Sequence, residues 1–462
     1  MRPRRPLTVG GRFDHDEGIK FPRAMDSSQP RRRFLQTVSA TAAGLAVSSS
    51  TRAAAASDRI GLAVIGTGGM GSNHVRTLCQ RKDIEFRWII DTDKERAAAA
   101  AKTVEEMTGQ KPQVAQDLRR ALDDQGVRAC FMATPDHWHA PGAILAADAG
   151  KHVYVEKPCS HNVLEGRLLI EAAARNGVAI QVGTQSRSTG HVRAVIEKIR
   201  SGVIGEVLVA KAWNSQKRAD HGRQPDSDPP ASLDYDLWLG PAPEVPFKKP
   251  YHPANWRWFF HFGAGDFGND GVHDIDIARW GLGAERHPDV IHAMGGKLFF
   301  EDDQQWPDTL YCGFEYNEEG RKGKQLVFEQ RIWSPYLQEG HENGCAWYGT
   351  EGFIVGSKAK GWKIFGPKNQ LIETIESNGV DLAAHHENFL RVVRGEGKAV
   401  DLHAGILTNH YSSSLCHLGN LAWKTGRVLH FDPDRETFAS DTEAAKGLRR
   451  DYREHWATPK GA

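Results

Sequence analysis

The 462-residue sequence predicts an α/β domain followed by an α+β domain. Between residues 57 and 183, short apolar runs alternate with helix-compatible stretches, which is typical of a doubly wound parallel sheet. In residues 184–431, helices and β-rich segments with Gly-, Asn- and Glu-containing turns predict a large, mainly antiparallel open sheet. We interpret residues 1–56 as a leader, and we assign no structure to the polar tail 432–462.

The composition argues against several classes of function. Charged residues make up 25% of the chain, the formal net charge is +1, and the basic residues are scattered among acids, so we expect no nucleic-acid partner. The six cysteines are far apart and form no C-x-x-C pair, which argues against a disulfide framework and a zinc site. We therefore expect a globular protein without a bound metal.

An export signal is our interpretation of residues 1–56. Arg31-Arg32-Arg33-Phe34-Leu35 has the twin-arginine pattern. A mild apolar run follows at 38–47, too short to span a bilayer, and the alanines at 53–56 supply a cleavage site. The residues before Met25 suit no export signal, so Met25 is an alternative start. We expect export by the twin-arginine machinery to the periplasm or another extracytoplasmic location, and a disordered basic tail is the alternative.

A glycine-rich turn follows the first predicted strand. The apolar run 62–65 leads into Gly66-x-Gly68-x-x-Gly71, and a helix-compatible stretch comes next. The first glycine of such a turn permits the tight bend, the second lets the backbone approach a pyrophosphate, and the third lets the helix pack close to the strand. The phosphates then bind at the helix N-terminus, with Gly69 and Met70 in the loop. This context favours a dinucleotide-binding Rossmann site over a structural loop.

An acidic residue ends the next apolar run. Asp91 follows residues 86–90 and lies about 20 residues beyond Gly71, the spacing of a ribose-binding acid. A carboxylate there binds both ribose hydroxyls and repels a 2′-phosphate, so we expect NAD rather than NADP. Twin-arginine signals export folded proteins, so a protein that loads NAD in the cytoplasm needs that route. The signal and the glycine-rich turn therefore support each other.

Two further motifs follow predicted strands of the first domain. The run 127–133 ends in Thr134-Pro135-Asp136-x-x-His139, and the run 152–155 ends in Glu156-Lys157-Pro158. Ligands of doubly wound sheets bind beyond the carboxyl ends of the strands, so we expect both motifs to lie near Asp91. A lysine at such a strand end can be desolvated and become an acid or base, whereas the alternative is a surface lysine paired with its neighbouring glutamate.

Together these motifs resemble the glucose–fructose oxidoreductase / inositol dehydrogenase (Gfo/Idh/MocA) family, and Glu156-Lys157-Pro158 is the most specific match. The resemblance implies that Lys157 bridges nicotinamide and substrate, that Glu156 orients it, and that the bond before the proline is cis. It places His139 in a loop that closes over the cofactor, with Asp136 in place of the family's Asn. It also implies that Gln185 approaches the nicotinamide carboxamide. The predicted cofactor-binding residues are Gly66, Gly68, Gly69, Met70, Gly71, Asp91, Thr134, Pro135, His139, Glu156, Lys157 and Gln185.

The segment 214–262 is irregular and rich in proline and tryptophan. It is too long for a plain connection, and loops of this length usually carry function, so we interpret it as the substrate-side wall. Trp256 and Arg257 are its candidates for stacking on a sugar ring and for binding hydroxyl groups. Structural cover is an equally open interpretation.

The chemistry is expected where the turn 263–271 leads into a helix. His273 and Asp276 match the family pattern Asp-x-Gly-x-His-x-x-Asp, but Asn269 replaces its first Asp. His273 and Asp276 share a helix face, so one can orient the other. A histidine with a pKa of about 6.5 suits taking a proton from a carbinol, so we expect His273 to be the general base, with a cap or packing residue as the alternative. Asn269 orients the substrate or His273, and the side chain of Asp270 points elsewhere.

The last predicted helix, 404–425, carries His410 and His417 on one face. We favour helix packing or a subunit contact over a metal site, because this spacing is too long for two adjacent ligands. By resemblance, an open face of the second sheet pairs subunits, so we expect a homo-oligomer, either a dimer or a tetramer.

The sequence therefore favours an exported NAD-dependent oxidoreductase that acts on the CH–OH group of a sugar or polyol, with tightly held NAD. The first alternative is an NAD-dependent exo-glycosidase of the same family, which works by oxidation, elimination, hydration and reduction. The second is a non-catalytic sugar-binding protein. The predicted catalytic residues are Lys157, His273, Asn269 and Asp276, and the predicted substrate-binding residues are Trp256, Arg257 and His273.

Overall fold

The computed structural model describes residues 59–317 and 323–462, so the leader assigned to 1–56 lies outside the described residues. The first sheet has six strands: β1 (Ile60–Ile65), β2 (Ile84–Ile90), β3 (Gln113–Ala115), β4 (Ala129–Met132), β5 (His152–Val155) and β6 (Ile180–Val182). Their order is β3-β2-β1-β4-β5-β6, and every neighbouring pair is parallel. This confirms the predicted doubly wound sheet. Strand β3 is not among the predicted strands, because this edge strand is largely exposed and lacks an apolar run.

Helices cover both faces of this sheet: α1 (Gly69–Leu78), α2 (Lys94–Thr108), α3 (Arg119–Leu122), α4 (Asp136–Asp148) and α5 (Val163–Asn176). All of β1 is buried, as expected for a strand covered on both sides. Ala63 and Ile65 pack with α4 and α5 on one face, and Leu62 and Val64 pack with α1 and α2 on the other. A later helix, α9 (Leu382–Arg394), also joins this second face.

The helix boundaries follow local capping. Asp93 accepts a hydrogen bond from the amide of Glu95 at the start of α2, and Gly109 ends that helix with a positive φ of 73°. Helix α4 begins directly after Pro135, which has an extended backbone and supplies no side-chain cap. Pro141 inside α4 has no N–H to donate to the carbonyl of His137.

The second sheet has nine strands: β7 (Val207–Asn214), β8 (Val290–Gly296), β9 (Thr309–Tyr316), β10 (Lys324–Arg331), β11 (Asn343–Gly349), β12 (Phe353–Ser357), β13 (Gly361–Phe365), β14 (Leu371–Ile375) and β15 (Leu429–His430). Their order is β14-β13-β12-β11-β7-β10-β9-β8-β15. Every pair is antiparallel except β7 with β10. The predicted mainly antiparallel sheet is confirmed, but β7 is inserted between two later strands, so the sheet is not a simple meander.

One face of this sheet forms the largest core. Buried and partly buried residues alternate along β9 and β10, as in a strand with one face covered. The covering helices are α6 (Gly190–Arg200), α8 (Val272–Leu282) and α10 (Ile406–Thr425). Phe314, Phe328 and Trp347 are fully buried beneath them, and each such side chain contributes roughly 1.5–3 kcal/mol or more.

The segment 214–262 is irregular, as predicted, but it has an aromatic core of its own. It contains one short helix, α7 (Tyr235–Leu239), and two 3₁₀ turns at Lys249–Tyr251 and Asn255–Trp258. Trp238 and Phe262 pack edge to face in its centre, with ring centroids 4.7 Å apart. This core gives the loop a defined shape beside the first sheet.

The tail 432–462 packs on both domains: Phe438, Ala444 and Leu448 join the core of the second sheet, and the later residues reach the helices of the first. It forms one short helix, α11 (Thr442–Lys446), and then an irregular run. Arg450 donates to the carbonyl oxygen of His137 at 2.7 Å, which is the acceptor that Pro141 leaves free in α4. The same guanidinium pairs with Glu165 of α5 at 2.7 Å. Within 59–317 and 323–462, no helix combines the length and apolarity that crossing a bilayer requires.

Candidate active site

A cavity of about 410 Å³ lies beyond the carboxyl ends of β1, β2, β4 and β5, within the range that small-molecule sites occupy. It is lined by every predicted cofactor- and substrate-binding residue except Gly71, and by Asn269. Gly71 lies behind the loop, in α1. Sequence reasoning missed several lining residues from distant segments: Arg96, Trp138, Trp238, His252, Asp270 and Trp456.

The glycine-rich loop fits a pyrophosphate. Gly66 has a φ of +82°, and a Cβ there would lie 2.6 Å from the carbonyl oxygen of Ala133. A Cβ on Gly71 would overlap the carbonyl oxygen of Gly66, which confirms the need for close packing of helix on strand. The first turn of α1 has no acidic side chain, so the positive end of the helix is uncompensated beside the cavity.

Asp91 is fixed at the end of β2. Its Oδ2 accepts hydrogen bonds from the amide and the hydroxyl of Thr67, at 2.7 and 2.9 Å, and its Oδ1 accepts from the amide of Asp93 at 3.0 Å. These donors hold the carboxylate at the cavity wall, where it suits the two hydroxyls of a ribose. The residues present therefore fit the adenosine half of a dinucleotide.

Lys157 lies at the centre of the cavity. Its Nζ donates to the main-chain oxygen of Asn269 at 2.8 Å, and the peptide bond to Pro158 is cis. An ammonium group has three N–H donors, so two remain for a ligand. His139 links this turn to the motif after β4, because its ring nitrogens lie 2.6 Å from the oxygen of Pro158 and 2.8 Å from that of Thr134.

Glu156 is a buried carboxylate beneath Lys157. Burial alone would raise its pKa, but the hydrogen bond from His74 and the charge of Lys157 lower the pKa to about 2. Gln185 donates to Glu156 at 3.2 Å. The prediction that Gln185 serves the cofactor is therefore refined, because its amide nitrogen already holds this carboxylate while the residue lines the cavity.

His273 lies in the first turn of α8, after a π-type turn formed by Phe267–Gly271. Burial and the positive charges of Lys157 and Lys358 together lower the pKa of this histidine to about 3, against the opposing charge of Asp270. The imidazole is therefore neutral at physiological pH. A neutral ring beside Lys157 has a lone pair for a proton, but its pKa lies well below the 6.5 expected from the sequence, so the ring is a weaker base than expected.

Two predicted roles near His273 need correction. The side-chain amide nitrogen of Asn269 donates to Asp266 at 3.1 Å. It is therefore the main-chain oxygen of Asn269, not its side chain, that contacts Lys157. Asp276 does not orient His273 as predicted. Its carboxylate accepts from Arg187 at 2.8 Å and from Ser412 at 2.6 Å, and it does not line the cavity. Although both residues are in α8, Asp276 joins that helix to its neighbours.

An acidic pair held by Arg218 borders the site. The Arg218 guanidinium contacts Asp266 at 3.0 Å and also contacts Asp270. Burial would raise the pKa of Asp270, but Arg218 and Lys157 hold it below its usual range, so the carboxylate is ionised. The expectation that its side chain points elsewhere is wrong, because Asp270 lines the cavity. No sequence signal linked residue 218 to this turn.

The substrate-side wall contains Trp256 and Arg257. The guanidinium of Arg257 lies 5.2 Å from the centroid of the Trp256 ring, and its Nε is buried without a hydrogen-bond partner among the described residues. From the tail, Trp456 reaches the same cavity, and the guanidinium of Arg119 covers its ring at 4.1 Å. A buried orphan donor and exposed aromatic faces suit a polyhydroxylated ligand.

One group outside the cavity has metal-ligand geometry. Among the described residues, His287, His410 and Glu436 bring ligand atoms within 4.8 Å of one another, whereas His417 is not part of the group. Arg167 also donates to Glu436, at 3.0 Å from its Nε. Because this cation and the two histidines satisfy the carboxylate, we assign the group to packing and charge pairing.

Comparison with known protein families identifies the family to which this chain belongs. Residues 60–184 match the model of an oxidoreductase family with an NAD-binding Rossmann fold, and residues 193–308 and 342–458 match the α/β C-terminal domain of the same family. The chain belongs to the Gfo/Idh/MocA family. The cofactor motifs at β1, β4 and β5 are thus those of an NAD-binding family, as the resemblance implied.

Curated relatives include a "Glycosyl hydrolase family 109 protein 1" of Shewanella sp. (strain ANA-3), 29% identical over 39% of this chain and 45% of that protein. The levoglucosan dehydrogenase of Pseudarthrobacter phenanthrenivorans is 29% identical over 36% of each chain. The chain thus spans less than half the length of these two relatives.

Solved structures of this family share the fold. Levoglucosan dehydrogenase in complex with NADH has a TM-score of 0.63 at 18% identity, covering 80% of this chain and 99% of that one. The WlbA dehydrogenase from Bordetella pertussis in complex with NADH and UDP-GlcNAcA has a TM-score of 0.60 at 19% identity, covering 81% and 99%. Both likenesses establish the two-domain architecture.

Proposed function

We propose that this protein is an NAD-dependent oxidoreductase that acts on the CH–OH group of a sugar or polyol and holds its NAD tightly. The observation that carries the proposal is a single cavity with the glycine-rich loop and Asp91 at one part of its wall and Lys157 and His273 at another. Relatives named for a sugar dehydrogenase support the substrate class.

The described residues suit distinct tasks in this reaction. Gly66 to Gly71 accommodate the pyrophosphate and Asp91 binds the adenosine ribose. NAD, when bound, supplies the acceptor for the hydride that leaves the carbinol carbon. Lys157 donates to the carbinol oxygen with an N–H that Asn269 leaves free. Neutral His273 accepts the hydroxyl proton.

An NAD-dependent exo-glycosidase is the second candidate. Relatives named glycosyl hydrolase family 109 proteins favour it. In that sequence of steps the sugar is oxidised, loses its aglycone, takes up water and is reduced again, so no net NADH forms. The same lysine and histidine would handle the protons.

One experiment separates these functions. The purified protein is denatured to release its nucleotide, which is identified, and the native protein is assayed with free sugars and with aryl glycosides. Net NADH with a free sugar supports the dehydrogenase, and aryl-alcohol release without net NADH supports the glycosidase. Absence of both with bound sugar would leave the non-catalytic binding protein. Lys157→Ala is the matched control, since it keeps the glycine-rich loop and Asp91.

Export by the twin-arginine machinery is part of the proposal, supported by Arg31-Arg32-Arg33-Phe34-Leu35. We expect the protein in the periplasmic fraction, and replacement of both Arg31 and Arg32 by lysine should retain it in the cytoplasm. Arg33→Lys, at the spacer position, is the matched control and should leave export intact. Equal fractionation of both variants would overturn the export proposal.

A homo-oligomer completes the proposal. The side of the second sheet opposite its core carries apolar residues that the chain itself buries only in part, among them Val209, Val327 and Tyr348. Partly covered apolar sheet faces suit pairing with a second copy. Light scattering during size-exclusion chromatography should give a dimer or tetramer, and Val327→Glu should shift it toward the monomer. A monomeric wild type would contradict this part.

A further inference from the structure

A chain of buried hydrogen bonds runs from Glu156 into the protein interior. His74 Nε2 lies 3.0 Å from Glu156 Oε1, and His74 Nδ1 lies 2.9 Å from His386 Nε2. Glu156 follows β5, His74 is in α1 and His386 is in α9, so three separate elements contribute. Both histidines are fully buried, and neither lines the cavity.

The carboxylate determines the tautomer of each ring. An ionised carboxylate only accepts hydrogen bonds, so His74 Nε2 carries a proton. A neutral His74 has one N–H, so its Nδ1 is then an acceptor and His386 Nε2 donates to it. His386 Nδ1 is buried without a hydrogen-bond partner among the described residues. Burial holds the pKa of His386 well below its usual value, so this ring is neutral too.

Glu156 has donors on both oxygens. His74 and Gln185 donate to Oε1, and the amide of Lys157 lies 3.3 Å from Oε2. A buried carboxylate is costly unless such donors satisfy it. Without His74, the donor with the shortest of these distances would be lost. The protonated form of Glu156 would then become more stable relative to the carboxylate.

The chain of hydrogen bonds from Glu156 through His74 to His386, which we call the relay, has few other titratable groups around it. The ring of Tyr154 packs edge-on against His74 at 5.1 Å, and Phe131 packs against it at 5.8 Å. The further charged or titratable groups that interact with the relay are Lys157, His273, His385 and Arg81. None of these four hydrogen-bonds to His74 or His386 in the described structure.

We infer that His74 and His386 are positioning residues for the proposed reaction, forming a two-histidine relay that keeps Glu156 ionised and fixed beneath Lys157. The inference rests on the proposed function for its kinetic consequence. Its structural part, the two tautomers, rests on the hydrogen bonds together with a neutral form of both rings.

The kinetic test uses His74→Leu with His74→Gln as the conservative variant. Leucine removes the donor, so the pKa of Glu156 rises and the acid limb of kcat should move up by about one pH unit or more, with KM changed less than about twofold. Glutamine restores a donor to Glu156 and an acceptor for His386. The acid limb of kcat in His74→Gln should therefore lie close to that of the wild type. His386→Leu should move the limb in the same direction by less.

His385→Leu is the matched control, because it removes a buried histidine from the same helix outside the relay. His385 contacts Ser188 and the carbonyl of Val182 instead. Its acid limb should stay in place even if the protein is destabilised. An unmoved limb in His74→Leu, or an equal shift in His385→Leu, would overturn the relay.

A second measurement needs no turnover. Nitrogen-15 NMR of histidine-labelled full-length protein at pH 7 should find His74 and His386 neutral, each protonated at Nε2 and unprotonated at Nδ1, with assignments from the single variants. A cationic ring or the opposite tautomer at either position would overturn the inference. If no sugar is turned over but both tautomers are as stated, the proposed function fails and the structural relay stands.

Discussion

The ammonium group of Lys157 donates to the main-chain oxygen of Asn269 at 2.8 Å, and thereby joins the end of β5 to the turn before α8. The two domains meet through this contact at the site of the proposed chemistry. Because the acceptor is a carbonyl, the contact does not depend on which side chain residue 269 carries. The replacement of the family's Asp by Asn269 therefore leaves the lysine in position.

Lys157→Ala should abolish most of the activity. We expect kcat to fall about 10²- to 10⁴-fold, the usual range for losing a general acid or base, while NAD affinity changes by less than about threefold. Stopped-flow turnover and calorimetric binding of NAD measure the two quantities. Lys157→Arg is the control, since arginine keeps the charge but does not release its proton. Full activity of the alanine variant would refute the assignment of Lys157.

Asp91→Asn should weaken NAD binding and relax the choice of nucleotide. A charge-assisted hydrogen bond contributes about 1.5–3 kcal/mol, so we expect Kd for NAD to rise roughly 10- to 100-fold. The affinity for NADP should rise relative to the affinity for NAD, because the carboxylate that repels the 2′-phosphate is gone. Asp93→Asn at the helix cap is a control that affects stability more than nucleotide choice. An unchanged NAD to NADP ratio in Asp91→Asn would contradict the role of Asp91.

Gly66→Ala and Gly69→Ala should behave differently. At Gly66 the backbone has a positive φ and the new Cβ meets the main chain of Ala133, so we expect about 1–3 kcal/mol of destabilisation and loss of NAD binding. At Gly69 nothing lies within 4 Å of the added Cβ, so Gly69→Ala should fold with normal stability. Chemical denaturation of both variants checks this. Equal losses in the two variants would disagree with the loop geometry.

Stability should fall as the pH drops below 6.5. Burial lowers the pKa of His137 to about 3 and the pKa values of His385 and His417 to about 4. The unfolded chain therefore binds more protons than the folded one, and each group costs up to about 1.4 kcal/mol per pH unit between 6.5 and its folded pKa. Burial raises the pKa of Asp274 to about 6 and also raises the pKa values of Asp136 and Asp266, so these carboxyl groups act in the opposite direction. The buried histidines with lowered pKa values are more numerous.

Urea unfolding at pH 7.5 and pH 5.0 measures this dependence. The free energy of unfolding should be smaller at pH 5.0 than at pH 7.5. In His417→Gln this difference in free energy should be smaller, because the contribution of one histidine is removed. A free energy that is constant or rises toward pH 5.0 is the result that this prediction does not allow.

Trp456→Ala should weaken nucleotide binding. The indole is one wall of the cavity and lies under Arg119, so its loss removes about 0.5–2 kcal/mol of contact, equivalent to roughly a 2- to 30-fold rise in Kd. Isothermal titration with NAD measures it. Trp423→Ala, in α10 and outside the cavity, is the matched control. If both variants bind NAD like the wild type, the tail does not contribute to the site.

The sequence predicted the parts of the site that lie next to strand ends. Gly66, Asp91 and Lys157 were found because each follows an apolar strand, and a parallel sheet brings such ends together. The shared helix face of His273 and Asp276 was real, but helix periodicity does not say what packs against that face. Arg187 and Ser412, which belong to other elements, donate hydrogen bonds to Asp276, and no sequence pattern links either residue to it.

The same limit explains the residues that were missed. His74 follows the glycine-rich turn closely, but its partner His386 is 312 positions away, and nothing in composition or spacing pairs them. Arg218 and Trp456 likewise reach the site through loops whose path only the folded chain determines. Edge strand β3 was missed for the opposite reason, since its few exposed residues carry no apolar signal.

The docking of Arg450 on the carbonyl that Pro141 leaves open has a consequence for biosynthesis. A wall of the cavity is supplied by residue 456, whereas the glycine-rich loop and the strand ends are made far earlier, so the residues of the first sheet do not complete the pocket by themselves. Nucleotide captured by a nascent chain would sit in an open groove until residue 456 had left the ribosome. The finished cavity wall therefore requires residue 456 and cannot form before that residue is synthesised.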